Sequence, residues 1–237
     1  MLDTDLAVGL LWFLAFLFST TVHEAMHAFV AWKGGDPTAY HGGQVSLSPI
    51  PHIKREPIGM LVVPLLTSLT QGWAMGWASA PYDPLWAERH PQRAALMAAA
   101  GPAGNLLIAL VAFAGLKAGL MAGWFIAPER AVFHSLVANA ATGEASFLGT
   151  VLSVLLMLNV FVGLFNLLPL PPLDGFSVVT IFMPEARAQQ LRRIQSNPSA
   201  SMVGLAIAWQ IFPVITHPLF TMVLRLVHPD ESYSSFR

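Results

Sequence analysis

The sequence predicts an all-α polytopic membrane protein with about four to six transmembrane helices. Hydrophobic residues make up 55% of its 237 positions and charged residues 11%, against roughly 25% charged in soluble domains. Mean hydropathy is +0.60. The apolar residues also come in long runs, the first free of charge from Leu6 to Val22. A net charge of -1 without a basic run offers nothing to bind nucleic acid or to make a polybasic lipid anchor. The chain has no cysteine, so disulfides and thiolate metal sites are excluded. One integral, multi-pass domain over residues 1–237 is expected, in the cell membrane and without room for an added soluble domain. The opening Met1-Leu2-Asp3-Thr4-Asp5 lacks the basic region and cleavage site of a signal peptide, so the first apolar run should be retained.

The first helix is expected over 6–32, stopped by Lys33-Gly34-Gly35-Asp36-Pro37. Residues 38–57 read as a loop, strand or hairpin, because Gln44, Ser46 and Ser48 alternate with Val45 and Leu47. Such an edge could hold a peptide backbone by strand addition. Residues 58–80 are apolar but interrupted by Pro64, Gly72 and Gly76, so they either cross once or dip in and return. A helix over 94–123 opens with Ala98-Ala99-Ala100-Gly101-Pro102-Ala103-Gly104-Asn105, small residues that let helices approach closely. Asn105 is read as a helix-packing residue, with contact to a substrate backbone as the alternative. A helix over 147–168 leads into Pro169-Leu170-Pro171-Pro172-Leu173-Asp174-Gly175, expected to be extended because three prolines in four positions cannot continue a helix. An amphipathic surface stretch follows over 184–197, then a last apolar span over 199–227, read as broken at Pro213 and Pro218.

The chemistry concentrates in His23-Glu24-Ala25-Met26-His27. Positions four apart in a helix return to within about 40° of one face, so both imidazoles can hold one metal ion. Histidine, glutamate and histidine at this spacing are a known zinc hydrolase pattern, with Glu24 as general base. Three polar groups inside an apolar segment strengthen that reading, since ionisable residues at membrane depth are costly. A tetrahedral catalytic zinc needs a third protein ligand. Non-helical backbone at membrane depth must be buried in protein or line a wet cavity. Asp174 in the proline-rich stretch is therefore the candidate; a helix N-cap is its other reading, and Glu129, Glu144 and Glu185 lack a comparable setting.

His23-Glu24-x-x-His27, followed by Asn166-x-x-Pro169-x-x-x-x-Asp174-Gly175, resembles the site-2 protease family of intramembrane zinc metalloproteases. Gly101-Pro102-x-x-Asn105 and Gly42-Gly43-Gln44-Val45-Ser46-Leu47-Ser48-Pro49, with His52 and Pro57-Ile58-Gly59 beyond, look like that family too. His52-Ile53-Lys54-Arg55-Glu56 departs from it, many relatives having an acidic residue after His-Ile. The resemblance implies one zinc per chain on His23, His27 and Asp174, with Glu24 as base. Asn166, Pro169, Asn105 and Gln44 are expected to help hold an unwound transmembrane segment of another protein. For His27 and Asp174 to share an ion their segments must end at one depth, which favours a re-entrant 58–80. Lysine and arginine are spread among the links, so orientation stays open. A metal-ion carrier or a non-catalytic zinc-binding membrane protein is the alternative; carriers usually string ligands along inverted repeats, and no repeat is visible.

Overall fold

The computed structural model describes residues 2–195 and 197–231, with side chains from Leu6 onward. Helix α1 (Leu2–Lys33) has two faces. Leu6, Leu10, Leu14 and Phe18 recur every four residues on the exposed one, while Trp12, Phe16, Thr20, His23 and His27 are buried on the other. Two short helices follow, α2 (Thr38–His41) and α3 (Ile50–Arg55). The alternation between them makes no strand. Gly43 takes φ +71°, and the hydroxyls of Ser46 and Ser48 accept from the backbone N–H groups two residues ahead, giving the chain local partners in place of a ladder.

Residues 58–80 begin and end in one place. A π-helical turn (Ile58–Val62) runs into α4 (Val63–Gln71), the chain reverses at Gly72 (φ +75°), and a non-helical arm comes back. Trp77 N–H donates to the Gly59 carbonyl at 3.1 Å, Met75 N–H to Thr67 Oγ1 at 2.9 Å, and Ser79 Oγ to Glu56 Oε1 at 2.7 Å. The arms cross at Gly59 and Gly76, where an added Cβ would strike the opposite backbone. The helical arm of 14 residues is about 21 Å long, short of a hydrocarbon core of roughly 30 Å.

After α5 (Pro84–Arg89), the 31-residue α6 (Pro91–Met121) runs back antiparallel to α1. Its link to α7 (Phe147–Asn166) holds the paired strands β1 (Phe125–Ile126) and β2 (Ala138–Asn139). Residues 167–173 are turns and bends, not the extended chain expected, with a cis Pro171–Pro172 bond. Hydrogen bonds such as Leu173 N–H to the Leu170 carbonyl keep them compact and start α8 (Asp174–Val178) at Asp174. A 3-10 turn (Val179–Phe182), α9 (Glu185–Gln195) and α10 (Pro198–Val227) complete the order. Helix α10 is continuous through Pro213 and Pro218, since a long apolar helix tolerates two missing donors when neighbouring groups take up the freed carbonyls.

Among the described residues four helices are long and apolar enough to cross a membrane: Leu6–Lys33, Pro91–Met121, Phe147–Asn166 and Pro198–Val227. The core lies where α6 meets α7, with Ala112 and Leu116 against Val154 and Met157. A second cluster joins Ala31, Ala80, Trp86, Ala94 and Met97, which fixes the end of the 58–80 return beside the C-terminal turn of α1.

Candidate metal centre

His23 and His27 project from one face of α1 toward α6, and their Nε2 atoms stand 2.9 Å apart. Asp174 at the start of α8 brings Oδ2 to 3.2 Å from His23 Nε2 and 3.4 Å from His27 Nε2. The close approach depends on Gly101. A Cβ there would lie 2.6 Å from His23 Nε2 and nearer still to His27 Nε2.

The outer ring nitrogens settle which tautomers are present. His27 Nδ1 lies 2.7 Å from the Met97 carbonyl, which can only accept, so Nδ1 carries the proton. Met97 lies in the second turn of α6, five residues before Pro102. For His23 the logic passes through two asparagines. Asn159 Nδ2 donates to the Leu155 carbonyl at 2.8 Å and to Ser19 Oγ at 2.9 Å, which turns its Oδ1 toward Asn105 Nδ2 at 2.8 Å. Asn105 Oδ1 then faces His23 Nδ1 at 2.6 Å, and that nitrogen is the donor. In the neutral rings both Nε2 atoms then present lone pairs, and two lone pairs and a carboxylate oxygen converge on one point.

Such a triangle is repulsive unless a cation sits against it. Tetrahedral zinc with ligands at 2.0–2.2 Å separates them by about 3.3–3.6 Å, close to the three distances here. The donor set, neutral imidazoles plus a carboxylate, suits that metal. Glu24 lies beside the pair, its nearest ligand atom within 4.8 Å of those of the histidines. Its Oε2 is buried and hydrogen-bonds to none of the described residues. A cavity of about 1240 Å³ opens onto His23, Glu24, His27 and Asp174.

The substrate-holding expectations fare differently from one another. Asn166 lines this cavity, its Nδ2 tied back to the Val162 carbonyl at 3.0 Å. Asn105 is wholly buried with both amide groups engaged; it backs His23 and lies off the cavity wall. Gln44 is buried within its loop and Pro169 is exposed, neither on the cavity wall. The loop at 40–48 is also off that wall, and the non-helical arm 72–80 borders it instead. Asn159 and Ser19 escaped the sequence reading, although an asparagine in the middle of a 20-residue apolar helix was the available clue. Leaving any one member of the Ser19–Asn159–Asn105–His23 chain unpaired costs about 1–3 kcal/mol. Asn105→Leu is expected to weaken zinc binding about 10–100-fold in a chelator competition, the usual scale for a residue that orients a ligand. Unchanged affinity would show that His23 needs no support from α6.

Ligand atoms converging on one point, a glutamate whose Oε2 has no hydrogen-bond partner among the described residues and helices of membrane-spanning length define a membrane metalloprotease. The comparisons place it further: the model of peptidase family M50 matches residues 11–211, and the chain belongs to that family of site-2 proteases, whose metal is zinc. It is 31% identical over 181 residues to "Putative zinc metalloprotease YwhC" of Bacillus subtilis, covering 76% of this chain and 72% of that protein. It is 30% identical over 166 residues to "Putative zinc metalloprotease Rip2" of Mycolicibacterium smegmatis, covering 69% of this chain but just 53% of that one. The Rip2 of Mycobacterium tuberculosis strain H37Rv is 27% identical over 81% of this chain and 63% of its own. No solved structure matches.

Proposed function

We propose that the protein is an intramembrane endopeptidase, cutting a peptide bond within or next to a transmembrane segment of another membrane protein. The observation that carries this is the convergence of His23 Nε2, His27 Nε2 and Asp174 Oδ2 within 2.9–3.4 Å, beside a Glu24 carboxylate oxygen with no hydrogen-bond partner among the described residues. His23, His27 and Asp174 would hold zinc, which supplies Lewis acidity to water and to a peptide carbonyl. Glu24 takes the proton of the attacking water and delivers it to the leaving amine. Asn105 and the Met97 carbonyl keep both imidazoles aimed while charge moves. An intact substrate helix hides its carbonyls, so the segment must unwind, and the non-helical arm 72–80 and Asn166 border the space where it would lie. A carrier needs ligands in sequence along a path, whereas one donor cluster is present among the described residues. The test is cleavage in proteoliposomes holding an apolar single-span substrate, stopped by a zinc chelator and restored by zinc. A chelator-insensitive cut, or no cut by zinc-loaded protein across a panel of such substrates, overturns the reading.

The return of 58–80 to its starting point also supports an orientation of the chain in the membrane. With that segment re-entering on one side, eight basic residues (Lys33, Lys54, Arg55, Arg89, Arg93, Arg187, Arg192, Arg193) fall with the C-terminal end of α1, against Lys117, Arg130 and Arg225 at the other among the described residues. Positive residues favour the cytoplasmic side. The metal centre then sits nearer the cytoplasm. The cysteine-free background makes this simple to check. A Ser48→Cys protein should react with an impermeant maleimide only after cells are opened, and Thr142→Cys in intact cells; the reverse pattern inverts the assignment.

A further inference from the structure

Away from the histidine–carboxylate cluster, the wall of the cavity is mostly apolar, and one guanidinium lines it among the described residues, that of Arg192 on α9. The zinc chemistry makes no use of this group. Its position is nonetheless built. Arg192 Nη2 donates to the carbonyl of Pro91, the first residue of α6, at 3.1 Å. Three residues on, Gln195 Oε1 accepts from Ser177 Oγ at 2.7 Å, and Ser177 follows Asp174 by less than one turn of α8. The contacts that seat α9 thus run to the element that carries Asp174.

Burial pulls the Arg192 pKa below its ordinary value, while Tyr82 and Glu88 act the other way. Arginine nevertheless stays charged in proteins. Glu88 is exposed, so solvent screens its attraction, whereas the cavity side is apolar. A guanidinium presented to such a space is suited to one ligand chemistry above others, a planar carboxylate met by paired N–H donors. A few placed polar groups in an apolar pocket are what give a binding site its preference.

The spacing can be estimated along α6. Met97, whose carbonyl holds His27, lies six residues beyond Pro91, whose carbonyl holds Arg192. That is about 9 Å at 1.5 Å per residue, or about three residues of an extended peptide. We propose that Arg192 is a recognition subsite for a carboxylate on the substrate, about three residues from the cleaved bond. An acidic side chain or the substrate's own C-terminus supplies it. The proposal rests on the proteolytic reading above.

The test uses apolar peptides of roughly 20 residues, long enough to span a bilayer. Each carries a single Asp, moved position by position, with Asn counterparts and with free-acid and amidated C-termini. The wild-type protein should cut Asp peptides with a KM about tenfold below their Asn counterparts, kcat changing little, at a bond about three residues from the Asp. Arg192→Gln should erase the preference, Arg192→Lys keep part of it, and Arg192→Glu favour a Lys peptide, zinc content staying at the wild-type level in each. A difference between acid and amide forms alone would assign the carboxylate to the C-terminus. Equal KM for all peptides in the wild type, or an Arg192→Gln protein that slows Asp and Asn peptides alike, overturns the subsite and leaves a clamp between α9 and α6. Binding of the same peptides to the Glu24→Gln protein reads the preference without turnover. If no peptide is cut while Glu24→Gln still selects Asp through Arg192, the proteolytic reading fails and the subsite stands.

Discussion

A Glu24→Gln protein is expected to keep its zinc and lose its protease activity, by about 10²–10⁴-fold or to background, the range for removing a general base. Glutamine matches glutamate in shape but cannot take a proton at neutral pH. The exchange should not disturb the site otherwise. Glu24 is 4% exposed, its Oε2 has no hydrogen-bond partner among the described residues, and both imidazoles are held from their far sides by Asn105 and Met97. A buried carboxylate oxygen without a donor is a cost to the fold. Removing the charge should therefore leave the thermal midpoint unchanged or raise it, so loss of activity with retained zinc and stability isolates the proton-transfer role. Cleavage at the wild-type rate, scored on gels alongside elemental analysis, would remove Glu24 from the chemistry.

The residues that come together at the candidate centre were readable because their signals are local in sequence. His23 and His27 share a face by helix geometry alone, and Asp174 stood out because three prolines forbid a helix just before it. Asn105 was harder. Its neighbours in sequence are small residues that suit close helix packing, and only the depth at which α6 meets α1 turns its amide to His23 Nδ1. Asn159 acts one helix further away, a relation no local pattern encodes. In residues 38–57 the alternating pattern was genuine but misleading, because the hydroxyls of Ser46 and Ser48 gave the backbone nearer partners than a second strand. Gly72 marked a reversal rather than an interruption, and deciding between them needed Ser79 to be seen beside Glu56. The prolines of α10 show the converse error: a rule from soluble helices overstated their power to break a long apolar one.

Gly101→Ala is expected to empty the metal centre. By propensity alone the change should help, since glycine inside a helix costs about 0.5–1 kcal/mol relative to alanine. The local geometry reverses that sign. The new methyl would sit 2.6 Å from His23 Nε2 and closer still to His27 Nε2, on the side where the two lone pairs and Asp174 converge. Neither ring can swing away cheaply, because each is tied by its Nδ1 to α6, the helix that carries the methyl. Either α6 withdraws and takes both anchors with it, or the rings rotate and stop converging. Both outcomes break a site whose ligand separations leave little slack, so zinc per chain should fall to background in elemental analysis and cleavage with it. Gly104→Ala, one turn along the same helix, is the control. Its Cβ would meet Met26 Cγ at 3.0 Å, the middle of a flexible side chain that can move aside. That protein should keep its zinc, which separates a specific collision from a general intolerance of bulk between α1 and α6. A Gly101→Ala protein with one zinc per chain would mean that the histidine pair does not face α6 as described.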